Sequence, residues 1–216
     1  MVQFPASITI TQDVLIPSMD VVRGPVPVPA PASGGSSFGI IAGNWYGLGA
    51  GQVVGAVGPD AGYINYAPLI LSDVAHSYAA IGVSVNTAPS VSTTIRLGIF
   101  SDLNGEPGPL LWDAGDVALT ATGTNAIPLT GAPAFQGKVW GAIGFPSAVN
   151  GLQLLGYSEY GSTALAPYLG TVSPLSTSDN LVGYIGGSYS YGPLPANAVN
   201  LSQRTGSSIS ALALQA

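Results

Sequence analysis

The residues that could catalyse a reaction are few in this chain. Its only histidine, His76, has Ser72, Asp73 and Ser77 as neighbours, and together these are the residue types of a serine-hydrolase triad. The members of a triad must converge in space, with the serine on a sharp turn beside an oxyanion hole, which neighbours in one short loop rarely achieve. We therefore interpret His76 as a loop or strand-edge histidine with local hydrogen bonds, and we predict no catalytic residue.

Two pairs of carboxylates lie close in sequence, Asp102 with Glu106 and Asp113 with Asp116. A glycosidase needs two carboxyl groups about 5–10 Å apart across a cleft, whereas carboxylates in one turn seldom face the same cleft. Asp102, Asn104 and Glu106 also offer oxygen ligands at alternate positions, as calcium loops do, but the remaining ligands of an EF-hand are missing. Both pairs favour turns in which aspartate oxygens accept backbone N–H bonds. We accordingly predict neither a metal site nor a cofactor.

Tyrosines are concentrated in a stretch rich in Gly and Ser near the C-terminal end of the chain. Residues 183–192, GYIGGSYSYG, place Tyr189 and Tyr191 on one face of an extended segment, with Tyr184 near its start. Aromatic faces bind sugars, and tyrosine is also enriched at subunit interfaces. We predict that Tyr184, Tyr189 and Tyr191 form a glycan platform or an interface, with interface or core packing favoured over a glycan.

The carboxylate pairs lie on a β-hairpin predicted over residues 95–119, IRLGIFSDLNGEPGPLLWDAGDVAL. The first apolar residues of this stretch alternate with others at the period of two of a pleated strand. Residues 102–109 then form a connection dense in turn-forming residues, because Asn104-Gly105 adopts positive φ at little cost and the two prolines exclude a helix. An apolar run resumes at Leu110, and residues 113–116 are predicted to interrupt it.

The rest of residues 36–216 also indicates one all-β domain. Helical periodicity is absent, whereas short apolar segments are numerous and are separated by turns that 30 glycines and 18 prolines supply. This pattern is typical of a β-sandwich, and we expect one of the jelly-roll type. The predicted strands are residues 43–48, 53–57, 63–71, 78–85, 93–100, 110–119, 123–129, 139–145, 152–157, 181–191 and 209–215.

Residues 1–35 differ from the rest and are predicted to form an extended N-terminal arm. Residues 24–31 alternate proline with small residues, which favours a polyproline II conformation of about 3.1 Å per residue. Residues 33–37, SGGSS, favour a flexible joint. A disordered tail with a linker is the alternative, but its N-terminal part would be more polar than this one. The predicted arm anchor consists of Ile8, Ile10, Val14 and Ile16.

Charge is the most unusual feature of the composition. Only 4 Lys or Arg and 10 Asp or Glu occur among 216 residues, which is 6%, whereas a typical soluble domain has about 25%. Four cations cannot form a phosphate-binding patch, so nucleic-acid binding is excluded, and no apolar stretch approaches the roughly 20 residues of a membrane helix. There is no cysteine for disulfides or thiolate metal sites. With 47% hydrophobic residues, the composition favours a surface covered by copies of itself or by a particle over a small exported protein.

The hairpin resembles one found in β-sandwich domains of tail-fibre and minor tail proteins of tailed bacteriophages. Its RLGIF strand and DLNGEPGPLLWDAG stretch carry the resemblance. The neighbouring strands of those domains are matched by pattern in the segments 68–85, 122–129 and 138–145. The resemblance covers about residues 45–216 and does not include the arm. The resemblance implies a non-enzymatic structural protein of the virion, tail-associated or in a fibre, which displays the sandwich outward and contacts a host receptor such as a surface glycan. It also implies a homotrimer, and we expect the arm to bind other virion proteins.

Two alternatives remain open. A capsid decoration or head-fibre protein would have the same sandwich and would differ in where the arm docks, because similar sandwiches occur at several positions on virions. A carbohydrate-binding module, free or fused, would be a stable monomer whose glycan retention depends on Tyr189 or Tyr191.

Overall fold

Short segments with the period-two pattern of β-strands form the structure of this chain. The computed structural model describes residues 40–47, 55–157, 181–205 and 208–216, and the predicted arm with its anchor residues Ile8, Ile10, Val14 and Ile16 lies outside them. The described ranges contain strands and connections and no helix. The strands are β1 (Trp45–Tyr46), β2 (Ala56–Val57), β3 (Tyr63–Ile70), β4 (Ala80–Thr87), β5 (Thr93–Leu103), β6 (Glu106–Leu119), β7 (Gly123–Pro128), β8 (Lys138–Gly144), β9 (Gln153–Tyr157), β10 (Leu181–Ser188), β11 (Ser202–Thr205), β12 (Ile209–Ser210) and β13 (Leu212–Gln215).

The strands form two antiparallel sheets. Sheet A has the order β1-β13-β4-β9-β12, with β2 beside β9 and β7 beside β4, and sheet B has the order β11-β10-β3-β8-β5-β6. Residues of both sheets contribute to one hydrophobic core. This arrangement confirms the predicted all-β class and is consistent with a β-sandwich.

The predicted hairpin is present, but its turn is shorter than the sequence indicates. Only Asn104 and Gly105 join β5 to β6, and their φ angles of 54° and 94° give a turn that suits the twist of paired antiparallel strands. The predicted connection over residues 102–109 is therefore wrong. Pro107 and Pro109 lie within β6, which is the edge strand of sheet B, where a missing N–H group is tolerated.

The predicted strand over residues 110–119 is confirmed, because β6 continues through the break in the apolar run at residues 113–116 with a β-bulge. Leu97 lies opposite Gly115 while Gly98 lies opposite Asp113, so that Ala114 is an extra residue in β6. Gly115 adopts a φ of 99° at this point, which favours glycine. The bulge shifts the register of the hairpin without ending the strand.

Other strand predictions differ from the structure in their limits. The segment 181–191 is a strand only to Ser188, and the segment 209–215 forms two strands because β12 pairs with β9 whereas β13 pairs with β4. The strand β11 was not predicted. Its sequence, SQRT, has no apolar residue that would mark it as part of a sheet.

The main core lies between the sheets. Ile81 and Leu214 of sheet A pack in one cluster with Leu97 and Ile143 of sheet B, and all four side chains are fully buried. Burial of each such side chain stabilises the fold by about 1.5–3 kcal/mol. Because the apolar residues of the strands alternate, this core uses only one face of sheet B.

The opposite face of sheet B is buried as well, which explains why its central strands are apolar at nearly every position. Tyr66, Phe100 and Trp140 form a second cluster there, and each is at most 1% exposed. The segment that follows β10, residues 189–201 and here called the strap, covers this cluster with Leu194. The outer face of sheet B is thus a second core.

Backbone hydrogen bonds fasten the strap to the edge strand β6. The Leu110 N–H donates to the Ala196 carbonyl at 2.9 Å, and the Ala198 N–H donates to the Gly108 carbonyl at 3.0 Å. These bonds use backbone groups that an edge strand would otherwise expose. Part of this edge of sheet B is therefore covered by the chain itself.

Candidate functional site

The β5–β6 hairpin brings the carboxylates of Asp113 and Asp116 to one cation, Arg96. Arg96 Nε lies 2.8 Å from Asp113 Oδ1, and Arg96 Nη1 lies 3.0 Å from Asp116 Oδ1. The hydrogen bond with Asp113 raises the pKa of Arg96 above its ordinary value. Asp113 Oδ1 also accepts the Gly115 N–H at 3.2 Å, which confirms the predicted turn bond two residues on. The ion pair with Arg96 was not predicted.

The same two carboxylates hold the strap. The Leu194 N–H donates to Asp113 Oδ2 at 3.1 Å, and the Tyr191 hydroxyl donates to Asp116 Oδ1 at 3.0 Å. Carboxylate oxygens that accept bonds from a guanidinium, a backbone N–H and a phenol form strong, charge-assisted contacts. The arrangement fixes the position of a surface segment, and neither carboxylate faces the other across a cleft as a glycosidase pair would.

Tyr189 and Tyr191 lie in the strap, beyond the end of β10, and their rings touch each other edge to face with centroids 6.1 Å apart. The Tyr189 ring covers Gly144 of β8, where a Cβ atom would lie 2.7 Å from Tyr189 Cε1. Burial raises the pKa of both hydroxyls, and the bond to Asp116 raises that of Tyr191 further. Tyr191 is 37% exposed and is the member of the pair that a ligand or a neighbouring subunit could contact.

Tyr184 does not belong with these two residues. Its side chain is 4% exposed and lies edge-on to Trp140 in the second core, with ring centroids 5.4 Å apart. A buried ring cannot serve as a glycan platform or a subunit contact, so the prediction for Tyr184 is corrected to core packing. The sequence placed it correctly in a strand but could not show that the strap covers its face of sheet B.

The second carboxylate pair lies at the tip of the hairpin, where Asp102 acts as a hydrogen-bond acceptor. Asp102 Oδ2 accepts the Gly105 N–H at 3.1 Å, while Oδ1 accepts the Trp140 indole N–H at 2.8 Å and lies 3.0 Å from Lys138 Nζ. Both oxygens are thus bound by donors of the chain, in agreement with a hydrogen-bonded turn. In the part of the chain that the structure describes, no group of three or more His, Cys, Asp or Glu residues is arranged to hold a metal.

His76 lies where a short extended segment meets the residues before β8. Its backbone N–H donates to the Phe135 carbonyl at 3.0 Å, and its ring lies edge-on to Tyr78 with centroids 5.4 Å apart. Ser72 Oγ accepts the Val74 N–H at 3.2 Å, as in a local turn. The bridge to Phe135 agrees with the predicted strand-edge position of His76, and the hydrogen bonds across it are made by backbone groups.

The described surface combines paired charges with exposed apolar side chains. Each of the three cations in the described ranges is paired with an aspartate: Arg96 with Asp113 and Asp116, Lys138 with Asp102, and Arg204 with Asp60. Large hydrophobic side chains are nevertheless exposed by 37–63%, namely Ile41, Trp45, Tyr63, Val74, Val91, Leu103, Leu111, Tyr191 and Val199. Such a surface can contact a neutral partner and offers little to a charged one.

Within the described ranges there is no helix of the length and apolar character that crossing a membrane requires. Comparison of this chain with protein-family models, with curated proteins and with solved structures finds no match.

Proposed function

We propose that this chain is a non-enzymatic structural protein of a bacteriophage virion, tail-associated or part of a fibre. The observation that carries the proposal is the surface: its cations are paired within the chain, and large apolar side chains are exposed in the described ranges. A surface with these properties suits contacts with copies of itself or with other virion proteins. The resemblance of the β5–β6 hairpin to tail-fibre domains supports the choice of a phage particle.

The sandwich is of the jelly-roll type in this proposal. Chain order supports it, because the chain passes from β3 in sheet B to β4 in sheet A, returns to sheet B with the β5–β6 hairpin, and then crosses again to β7 in sheet A, β8 in sheet B, β9 in sheet A and β10 in sheet B. Repeated crossing between two sheets is the connection pattern of a jelly roll. The domain is displayed outward as a homotrimer, the arm at residues 1–35 binds other virion proteins, and Tyr189 with Tyr191 contacts a neighbouring subunit or a host surface glycan.

The mass in solution tests the proposal. Light scattering after size-exclusion chromatography should give three times 21.6 kDa for the full chain. The same measurement on residues 36–216 locates the contact: a trimer without the arm places the interface in the sandwich, and a trimer only with the arm places it in residues 1–35. A monomer in both cases would contradict a self-assembling fibre subunit.

In that event, a glycan array separates the two remaining functions. A carbohydrate-binding module should lose glycan retention in Tyr191→Ala and keep it in Tyr63→Ala, a matched control with another exposed tyrosine at 42% exposure. A capsid decoration or head-fibre protein would show no retention in either case and would bind its particle through the arm.

A further inference from the structure

The outer face of sheet A carries a groove of about 370 Å³. This volume is near the lower end of the roughly 300–1,000 Å³ of ligand pockets, so it admits a few side chains and not a folded element. Ser84 and Thr124 are cross-strand partners of β4 and β7 that line it. Among the described residues that line it, none is charged, and they include Trp45, Gly82, Ser84, Leu155, Ala211 and Ala213.

Trp45 forms an apolar wall of this sheet A groove. A Cβ atom at Gly82 would lie 3.1 Å from Trp45 Cη2, so the indole packs closely on the strand where glycine leaves room for it. The side chain is still 38% exposed. Because Gly82, Ala211 and Ala213 beside it have small or no side chains, an extended backbone could approach the sheet closely beside the indole.

The N-terminal part of this chain has the chemistry that the groove requires. Residues 1–12, MVQFPASITITQ, contain no charged residue, as the groove contains none. Ile8 and Ile10 would point to one face of an extended segment, with the hydroxyl residues Ser7, Thr9 and Thr11 between and beside them. Two isoleucines at this spacing would pack against the apolar wall that Trp45 forms. The hydroxyl groups would pair with those of Ser84 and Thr124.

The position at which the described chain begins also supports this occupant. Ile40 precedes Trp45 by five residues, so the chain enters the sandwich beside the groove. Ile10 lies 30 residues before Ile40. An extended chain of that length reaches up to about 100 Å. The alternation of proline with small residues over positions 24–31 favours an extended spacer of about 25 Å.

We infer that the segment around Ile8 and Ile10 of one copy docks into the sheet A groove of a neighbouring copy. The inference rests on the proposed function in one respect, that the chain assembles with itself. Arm exchange of this kind covers an apolar groove and an apolar arm in one step. It also explains why both are uncharged.

Engineered cysteines test the inference directly, because the chain has none of its own. One preparation carries Ile10→Cys and the other Ser84→Cys, with different tags, and the two are mixed and mildly oxidised. Docking should raise the yield of the mixed disulfide about tenfold or more over an Ile10→Cys and Val91→Cys pair, because it raises the local thiol concentration. Val91 is 63% exposed and does not line the groove. Thr124→Cys serves as a second groove position should Ser84→Cys misfold.

Two outcomes would overturn the inference. A mixed disulfide no more abundant than in the Val91→Cys pair means that something else occupies the groove, another class of ligand included. A disulfide that forms within a single chain carrying both Ile10→Cys and Ser84→Cys, but not between copies, means that the arm folds onto its own sandwich. Light scattering on the unmodified chain separates these failures from failure of the proposed function, since a trimer without the mixed disulfide contradicts only arm exchange.

Discussion

Gly98, in the RLGIF strand, lies at the contact that joins the hairpin to the strap, and its substitution by alanine should weaken that contact. A Cβ atom at this position would overlap Leu194 Cδ1 and lie 2.9 Å from the carbonyl oxygen of Trp112. The leucine side chain can move, but the carbonyl belongs to β6 and cannot move without disturbing the hairpin. Leu194 itself is 6% exposed and anchors the strap on the second core.

The expected loss follows from two opposing terms. Overpacking a well-filled site costs about 1–3 kcal/mol, while replacing glycine restricts the unfolded chain and returns about 0.4–1 kcal/mol. Gly98→Ala should therefore lower the free energy of unfolding by about 1–2 kcal/mol, which for a chain of this length lowers Tm by about 2–8 °C. Leu194→Ala should cost about 2–4 kcal/mol through lost burial and a cavity.

Urea unfolding of the two single variants and the double variant forms the assay. The methyl group that Gly98→Ala adds would occupy part of the space that Leu194→Ala vacates, so the double variant should lose about 1 kcal/mol less than the sum of the single losses. Gly192→Ala is the matched control, because its added Cβ atom would lie 3.8 Å from the nearest atom, and its stability should change by less than about 0.5 kcal/mol. Additive losses, or a Gly98→Ala variant as stable as the control, would refute the reasoning.

Four further outcomes can be measured with the same protein. Asn104→Ala should destabilise the fold by about 1–2 kcal/mol, because alanine resists the φ of 54°, and Asn104→Gly should restore most of the loss in urea unfolding. Arg96→Gln should cost about 2 kcal/mol and speed proteolysis of the strap, since Asp113 and Asp116 lose a charged donor, and unchanged proteolysis would contradict their role. Burial raises the pKa of Tyr66 in the folded chain above its unfolded value of about 10, so its contribution to stability is complete below pH 10 and is lost as the pH rises further. The urea midpoint should therefore fall between pH 9 and pH 11, and less so in Tyr66→Phe. Oligomers formed by this surface should persist in 1 M NaCl, where the Debye length is about 3 Å, and dissociation by salt in light scattering would reveal a dependence on ion pairs.

The hairpin shows which structural features the sequence predicts and which it does not. Asn104-Gly105 predicts the turn, and a regular hairpin counted from it would put Asp113 opposite Arg96. Bulges add three residues to β6 between the turn and this position, so that Asp116 lies opposite Arg96 in the register. The Arg96 side chain forms ion pairs with both Asp113 and Asp116. Counting the register could have found the ion pair with Asp113. The bulges could not be counted from the sequence, because a β-bulge adds a residue to a strand without ending it.

The second core escaped prediction for a related reason. An apolar run such as VWGAIG in β8 is compatible with burial on one face or on both. The residue that decides between them, Leu194, lies 54 positions beyond Trp140 in the chain and follows no helical or strand period. The alternation of β5 and the apolar run of β8 did predict strands correctly, since burial on one face or on both leaves them extended.

The positions of the charged side chains determine which groups are available for contacts with a partner. In the described ranges each cation joins elements of the same copy: Arg96 joins the hairpin to the strap through Asp113, Lys138 joins β8 to the hairpin tip, and Arg204 joins β11 to the connection before β3. Cations used in this way are not available to choose a partner, so selection by the described surface depends on shape, on apolar and hydroxyl groups and on exposed carboxylates such as those of Asp73 and Glu106. The sheet A groove with Trp45 and the exposed ring of Tyr191 are two surfaces of this kind, one on the outer face of sheet A and the other in the strap that covers sheet B. If the inferred arm exchange occurs, a copy whose groove holds a neighbouring arm keeps the ring of Tyr191 for a second contact.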